Sequence, residues 1–152
     1  IATDGRDRAI LNIAECAGPN NMAAYLAHVQ AIGALTPALL VRAACEDHAA
    51  IFEHAFASLS KVSLGRVQAI VDSGRTVAFQ ALYLRTNLSA SLLPVFLAAI
   101  DTWGADGSCS ASRLMDMARE TDGATMRLLA RIETEQRKEH WAPAERQLAI
   151  AA

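Results

Sequence analysis

The sequence predicts an all-α protein, built as an irregular multi-helix bundle or a right-handed stack of short helix pairs with a long C-terminal helix. Three features carry this expectation. Apolar residues recur at i, i+3, i+4 and i+7 wherever the chain has a period. No run alternates apolar with polar residues as a half-buried strand does. Alanine supplies 32 of the 152 residues, so much of the 53% hydrophobic share is small, helix-favouring side chain.

The first stripe is Ile10, Ile13, Ala14 and Ala17, ended by Gly18-Pro19. Asn20 or Asn21 is then expected to cap a helix carrying Met22, Tyr25, Leu26, Val29 and Ile32 up to Gly33. Thr36-Pro37 is a start signal, because the hydroxyl accepts from orphan amides and proline at the first helical position forfeits no bond. Leu39, Leu40, Ala43 and Ala44 line that helix, which hands over near Glu46-Asp47 to one bearing Ile51, Phe52, Ala55, Phe56 and Leu59. Ser63 opens a short helix with Leu64, Val67, Ile70 and Val71 inward, closed by Ser73-Gly74. Val77, Ala78, Ala81 and Leu82 mark the next, which stops near Asn87. Ser89 or Ser91 opens a helix apolar almost all round (Leu92, Leu93, Phe96, Leu97, Ile100 and Trp103), the pattern of a central element. After an Asp106-Gly107-Ser108 loop, Ser110 is expected to start one long helix reaching about His140, striped by Leu114, Met117, Ala118, Leu128 and Ile132. A stripe that narrow packs back across the domain or pairs with a second copy.

Charge and cysteines narrow the function classes. Fourteen Lys and Arg against 16 Asp and Glu give a net charge of −2, with no basic excess to neutralise phosphates, so nucleic-acid binding is not expected. Cys16, Cys45 and Cys109 are odd in number and scattered, which favours a reducing, cytoplasmic setting over a disulfide framework. The longest apolar stretch, Leu92 to Ile100, has nine residues, whereas a membrane span needs ~20. No segment reads as a signal peptide, and Ile1 in first place suggests a piece of a longer protein. From Gly104 to Ala152 there are seven basic and eight acidic residues. That density divides the chain into a compact core over 1–104 and a charged helix and tail over 105–152, either part of the same domain or a dimerisation arm.

Two stretches resemble a known family. Leu35-Thr36-Pro37-Ala38-Leu39-Leu40-Val41-Arg42-Ala43-Ala44-Cys45 with Ile51-Phe52-Glu53 is one, and Phe79-Gln80-Ala81-Leu82-Tyr83-Leu84-Arg85 with Leu88 and Pro94-Val95-Phe96 is the other. They are similar to an uncharacterised alphaproteobacterial helical family, domain of unknown function 2336, over about residues 22–103. That family carries a Gly-Asp pair where this chain has Asp47-His48, and Arg and Pro where it has Gln80 and Ser89. The resemblance implies a bacterial, all-helical, HEAT-like protein and brings no activity with it.

The most chemically loaded window runs from Cys45 through Glu46, Asp47 and His48 to Glu53 and His54. Cys45-x-x-His48 has a spacing able to chelate a soft divalent metal, with His54 as a third candidate, but neither half of a zinc pattern is complete. The plainer reading is a helix junction with Asp47 capping the second helix. Arg42 precedes Glu46 by one helical turn and sits beside apolar residues, which suggests a buried arginine–carboxylate clamp, with Glu53 as the expected partner. Arg42, Glu46, Asp47, Glu53 and Arg85 are therefore the ligand or interaction candidates, and Cys45, His48 and His54 the metal candidates. Cys109, between two serines at a helix start, has no evident base aimed at it and reads as an ordinary thiol. His54 as a phosphorylatable histidine lacks the Lys-Gly expected shortly after it. Phe52, Phe56, Phe79, Tyr83, Phe96 and Trp103 read as core, because a chain only 5% aromatic needs nearly all of them for packing.

No complete catalytic constellation is present, and no cofactor is expected. The sequence points to a non-enzymatic interaction or regulatory module that binds a protein partner or itself. The alternative is a small-ligand or metal-binding regulatory domain using the Cys45–His54 junction.

Overall fold

A computed structural model describes the backbone of residues 2–105, 109–118 and 122–151, and the side chains of 4–105, 109–118 and 122–138. Among these residues all regular structure is helical: α1 (Ala2–Ala17), α2 (Pro19–Ala31), α3 (Pro37–Cys45), α4 (Ala49–Ser60), α5 (Leu64–Ser73), α6 (Thr76–Leu84), α7 (Leu93–Gly104), α8 (Ala111–Met117) and α9 (Gly123–Ala151). A 3-10 turn, Ala90–Leu92, leads into α7. The expected Asp106–Ser108 loop lies outside the described residues.

Neighbours in sequence are mostly neighbours in space, as α1 with α2, α3 with α4, α4 with α5 and α8 with α9. The longer-range packing converges on α3, which touches α1, α4, α7 and α9. All of Leu39–Cys45 is buried in consequence. Leu39 and Ala43 face a smaller cluster with Leu11, Ala14, Leu26 and Val29, while Leu40, Val41, Ala44 and Cys45 face the larger one. Phe52, Phe56, Phe79 and Phe96 form the centre of that larger cluster, with Trp103 and Tyr83 at its edges. α7 is apolar on nearly every side and central, as its sequence predicts.

Several boundaries follow from local chemistry. Thr36 Oγ1 accepts from the Leu39 amide at 3.2 Å, ahead of Pro37 in the first turn. Gly74 closes α5 in the left-handed region at φ 65°, where a Cβ would be strained. The cap of α2 differs from expectation: Gly18 holds that position at φ 78°, and Asn20 and Asn21 fall inside the first turn, because Pro19 already starts the helix.

Three helix faces also differ. In α1 the buried stripe is Asp4, Asp7, Leu11 and Ala14 with Ile10, while Ile13 is 52% exposed. Two aspartates take inner positions that a count of apolar residues assigns elsewhere, since Arg42 of α3 lies across from them. In α6 the inner face is Phe79, Leu82 and Tyr83, and Val77 and Ala81 turn outward. The aromatic rings bury more apolar surface than Val and Ala, and they set the rotation of the helix. Ile32, expected at the end of the α2 stripe, is exposed because α2 has already ended there.

The expected single helix from Ser110 to His140 is two. Ser110 caps α8 by accepting from the Arg113 amide, and α8 ends at Met117, which faces outward. Asp122 then caps α9, its Oδ1 accepting from the Thr125 amide at 2.8 Å. Asp122-Gly123 is a break signal stronger than the stripe running through it. α9 packs back on α8 and α3, placing Leu128, Leu129 and Ile132 in the larger cluster.

Candidate functional site

The chemically loaded residues gather where α3 ends. Arg42, wholly buried one turn before that end, holds carboxylates from three parts of the chain. Its Nη1 donates to Glu135 Oε2 of α9 at 2.6 Å and lies 3.6 Å from Glu46 Oε1, while Nη2 lies 3.2 Å from Asp4 Oδ1 of α1. Asp4 also meets Arg131 Nε at 3.4 Å. Burial alone would make the guanidinium easier to deprotonate, but Glu135, Glu46 and Asp4 outweigh it and keep the charge. Burial likewise opposes ionisation of Asp4, yet Arg131 and Arg42 hold its carboxyl below the usual range. Asp7, buried one turn further along α1, is pushed up by burial against the pull of Arg6 and Arg42.

The expected clamp therefore forms, but with other carboxylates. Glu53 lies on α4, where burial raises its carboxyl pKa and Gln68 of α5 hydrogen-bonds it. Its hydrogen bond to Gln68 ties it to α5, while the carboxylates held by Arg42 are Asp4, Glu46 and Glu135.

The turn from α3 to α4 is short and specific. Asp47 adopts φ 60°, a left-handed conformation that Gly occupies without strain and Asp tolerates better than most. Asp47 is also expected to cap α4, but His48 takes that position without a side-chain cap bond. Asp47 Oδ1 instead accepts from the Cys109 amide at 2.7 Å, reaching across to the start of α8. Gln136 of α9 completes the junction: its Nε2 donates to the Cys45 carbonyl at 3.2 Å, and its Oε1 accepts from the Ala111 amide at 3.2 Å. Glu135 and Gln136 thus bind the end of α3 from one turn of α9.

A polar cleft of about 510 Å³ opens beside this junction, lined by Arg8, Asn12, Glu15, His48, Cys109 and Gln136 among others. His48 bridges it, with Nδ1 3.6 Å from Glu15 Oε2 of α1 and Nε2 3.6 Å from Glu46 Oε2. The Glu46 hydrogen bond raises the imidazole pKa above its ordinary value; burial opposes this and Glu15 adds to it. Because the folded pKa is raised, the bridge stabilises fully below the unfolded value of about 6.5 and is lost as pH rises through the folded one. Thermal unfolding across pH 5.5 to 8.5 is expected to show this loss, and His48→Gln should flatten it, by roughly 1 kcal/mol at most because the carboxylate partners keep contact with water. An unchanged pH profile in His48→Gln would remove the bridge from the account.

The thiols are poor nucleophiles and poor metal ligands as they stand. Burial pushes the Cys45 thiol far up and the Cys109 thiol up to about 12, with Asp47 adding to the latter, so both stay protonated at neutral pH. Cys109, which reads as an ordinary thiol from its sequence, is buried. Cys45 and His48 both line the cleft, whereas His54 stands apart on α4, its pKa lowered by burial. Among the described residues no three His, Cys, Asp or Glu side chains are placed to hold a metal ion. Arg85 lies elsewhere too, its Nε donating to the Ser60 carbonyl at the end of α4 at 3.2 Å.

Asp4, Glu15, Glu135 and Gln136 are the junction residues that sequence reasoning misses. Asp4 and Asp7 had a readable signal, since two aspartates spaced three apart continue the Leu11–Ala14 stripe. Glu135 and Gln136 had none, because polar residues on a long helix normally face water.

Among the described residues no helix is long and apolar enough to cross a membrane. Comparison with curated proteins and with solved structures finds no significant match. A match to one family runs over residues 1–137, wider than the 22–103 stretch that carries the resemblance. It takes in α1 and the first half of α9, which supply the Asp4 and Glu135 held by Arg42. The chain belongs to DUF2336, a family of uncharacterised proteins conserved in bacteria.

Proposed function

We propose that this chain is a non-enzymatic helical module of a bacterial cytoplasmic protein, with an interaction or regulatory role exerted by binding a protein partner or a second copy of itself. The observation that supports the reading is the engagement of its reactive groups. Arg42 is held by three carboxylates, and the buried Cys45 and Cys109 thiols are protonated at neutral pH. Groups so engaged hold helices together and are poorly placed to attack or polarise a substrate. A HEAT-like stacking of its short helices would offer extended outer faces suited to protein contacts.

A second reading is favoured by the polar cleft beside His48. Its volume of about 510 Å³ is within the range of small-ligand sites, and a ligand there would touch the α3–α4 turn and the start of α8 together. Native mass spectrometry of the protein purified without chelator separates the two. The interaction reading expects the bare chain mass or whole multiples of it. A retained metal or small molecule at one per chain, lost in the His48→Ala, His54→Ala double variant while the fold persists, would overturn it in favour of the second reading.

A further inference from the structure

The groove between α5 and α6 is apolar at its floor and positive at its rim. Val62, Ile70, Ala78 and Leu82 line the floor of a depression of about 620 Å³, and Lys61, Arg66 and Arg85 stand around it. Among the described residues none of these three cations has a carboxylate within ion-pairing distance. The ion pairs among the described residues lie in α1, at the α3–α4 junction and in α9. Arg85 uses Nε for the Ser60 carbonyl, which fixes its stem while the rest of the guanidinium fork stays available. The apolar surface continues past the groove. Val77 and Leu84, 78% and 79% exposed, flank Ala81 on the outer side of α6, and these two are the most exposed large hydrophobics among the described residues.

Lys61 supplies an independent observation. It closes α4 in the left-handed region at φ 58°, a conformation in which Gly is unstrained and a lysine side chain is not. The position thus carries a charge at a cost in backbone conformation.

We infer that the α5–α6 groove docks an acidic amphipathic helix of a protein partner, whose apolar residues enter the groove while its carboxylates meet Lys61, Arg66 and Arg85. This rests on the interaction reading above and names its surface and the chemistry of its partner. An apolar groove between helices is a known seat for the apolar face of such a helix. An anionic bilayer fits less well, because the net charge of −2 repels an extended negative surface. A nucleic-acid strand fits less well too, since no aromatic ring lines the groove for bases to stack on.

The test uses fluorescence anisotropy with a labelled helical peptide of about four turns, Leu on one face and Glu on its flanks. Controls are the same peptide with Lys for Glu, phosphatidylglycerol vesicles and oligothymidine. The acidic peptide is expected to bind the wild-type chain, to weaken with added salt and to lose at least about tenfold in affinity to Lys61→Glu, Arg66→Glu. Lys61→Gly separates the charge from the fold: it should weaken binding while melting no lower than wild type. Absence of acidic-peptide binding, equal binding by the charge-reversed variant, or a preference for the basic peptide, vesicles or oligothymidine would overturn the inference. So would a wild-type dimer that the charge reversal converts to monomer, since the occupant would then be a second copy. Each of these outcomes leaves the mass-spectrometric test of the interaction reading standing on its own.

Discussion

Arg42→Ala is expected to lower stability by about 3 kcal/mol, read as a fall in melting temperature of roughly 10 °C. The substitution leaves Asp4, Glu46 and Glu135 facing one another around an apolar hole without the cation that drew them together. Breaking a buried ion pair from one side costs about 3–5 kcal/mol. The lower figure applies here because these carboxylate side chains keep 12%, 24% and 26% exposure and can recover some water. Arg42→Lys should recover only part of the loss, since an ammonium keeps the charge but cannot reach α1 and α9 with separate nitrogens. The damage should be spatially specific. Hydrogen exchange is expected to rise first in α1 and α9, the helices tied through Asp4 and Glu135, and later in α4 and α7. Uniform loosening would mean that Arg42 acts by filling volume and not by bridging.

Phe52→Ala is expected to cost about 3–5 kcal/mol, the usual range for emptying a buried aromatic site. Phe52 is fully buried and meets four other rings of the core, as does Phe56. It stacks on Phe56 at a centroid distance of 4.3 Å, lies 5.5 Å from Phe96 and meets Trp103 edge-on at 5.2 Å. Its loss takes contact from α4, α6 and α7 together, because Phe79 of α6 is also within 6.3 Å. Phe52→Leu should cost far less, about 1 kcal/mol, since it keeps most of the volume. Chemical denaturation gives both values, and near-ultraviolet dichroism should report loss of the Trp103 environment in the alanine variant. A cost below about 1 kcal/mol for Phe52→Ala would show that the cluster collapses around the gap and is not rigidly packed.

Much of this architecture is readable before any coordinates, wherever a signal is local. Thr36-Pro37 starts α3 because hydroxyl, amide and proline ring act within three residues. Gly74 ends α5 by its own backbone freedom. Leu92 to Trp103 shows apolar side chain on every face and is central. Local signals mislead where two compete, as at Asp122-Gly123, where a cap and a break interrupt a stripe that reads as continuous. They also mislead where the larger side chain decides, as in α6, where Phe79 and Tyr83 turn Val77 outward.

The sequence by itself determines the all-helical class, most helix starts and stops, the aromatic core and the presence of a buried arginine clamp. Each of these follows from chemistry within a turn or two of chain. Tertiary structure alone decides what the clamp holds and what faces the junction. Arg42 and Glu135 are 93 residues apart, and Gln136 is 91 residues from the helix end it binds. Helical periodicity repeats every few residues and carries no information across such a distance. Which carboxylate reaches Arg42, and which cations stand together above the α5–α6 groove, is set by how whole helices stack once their apolar faces are buried.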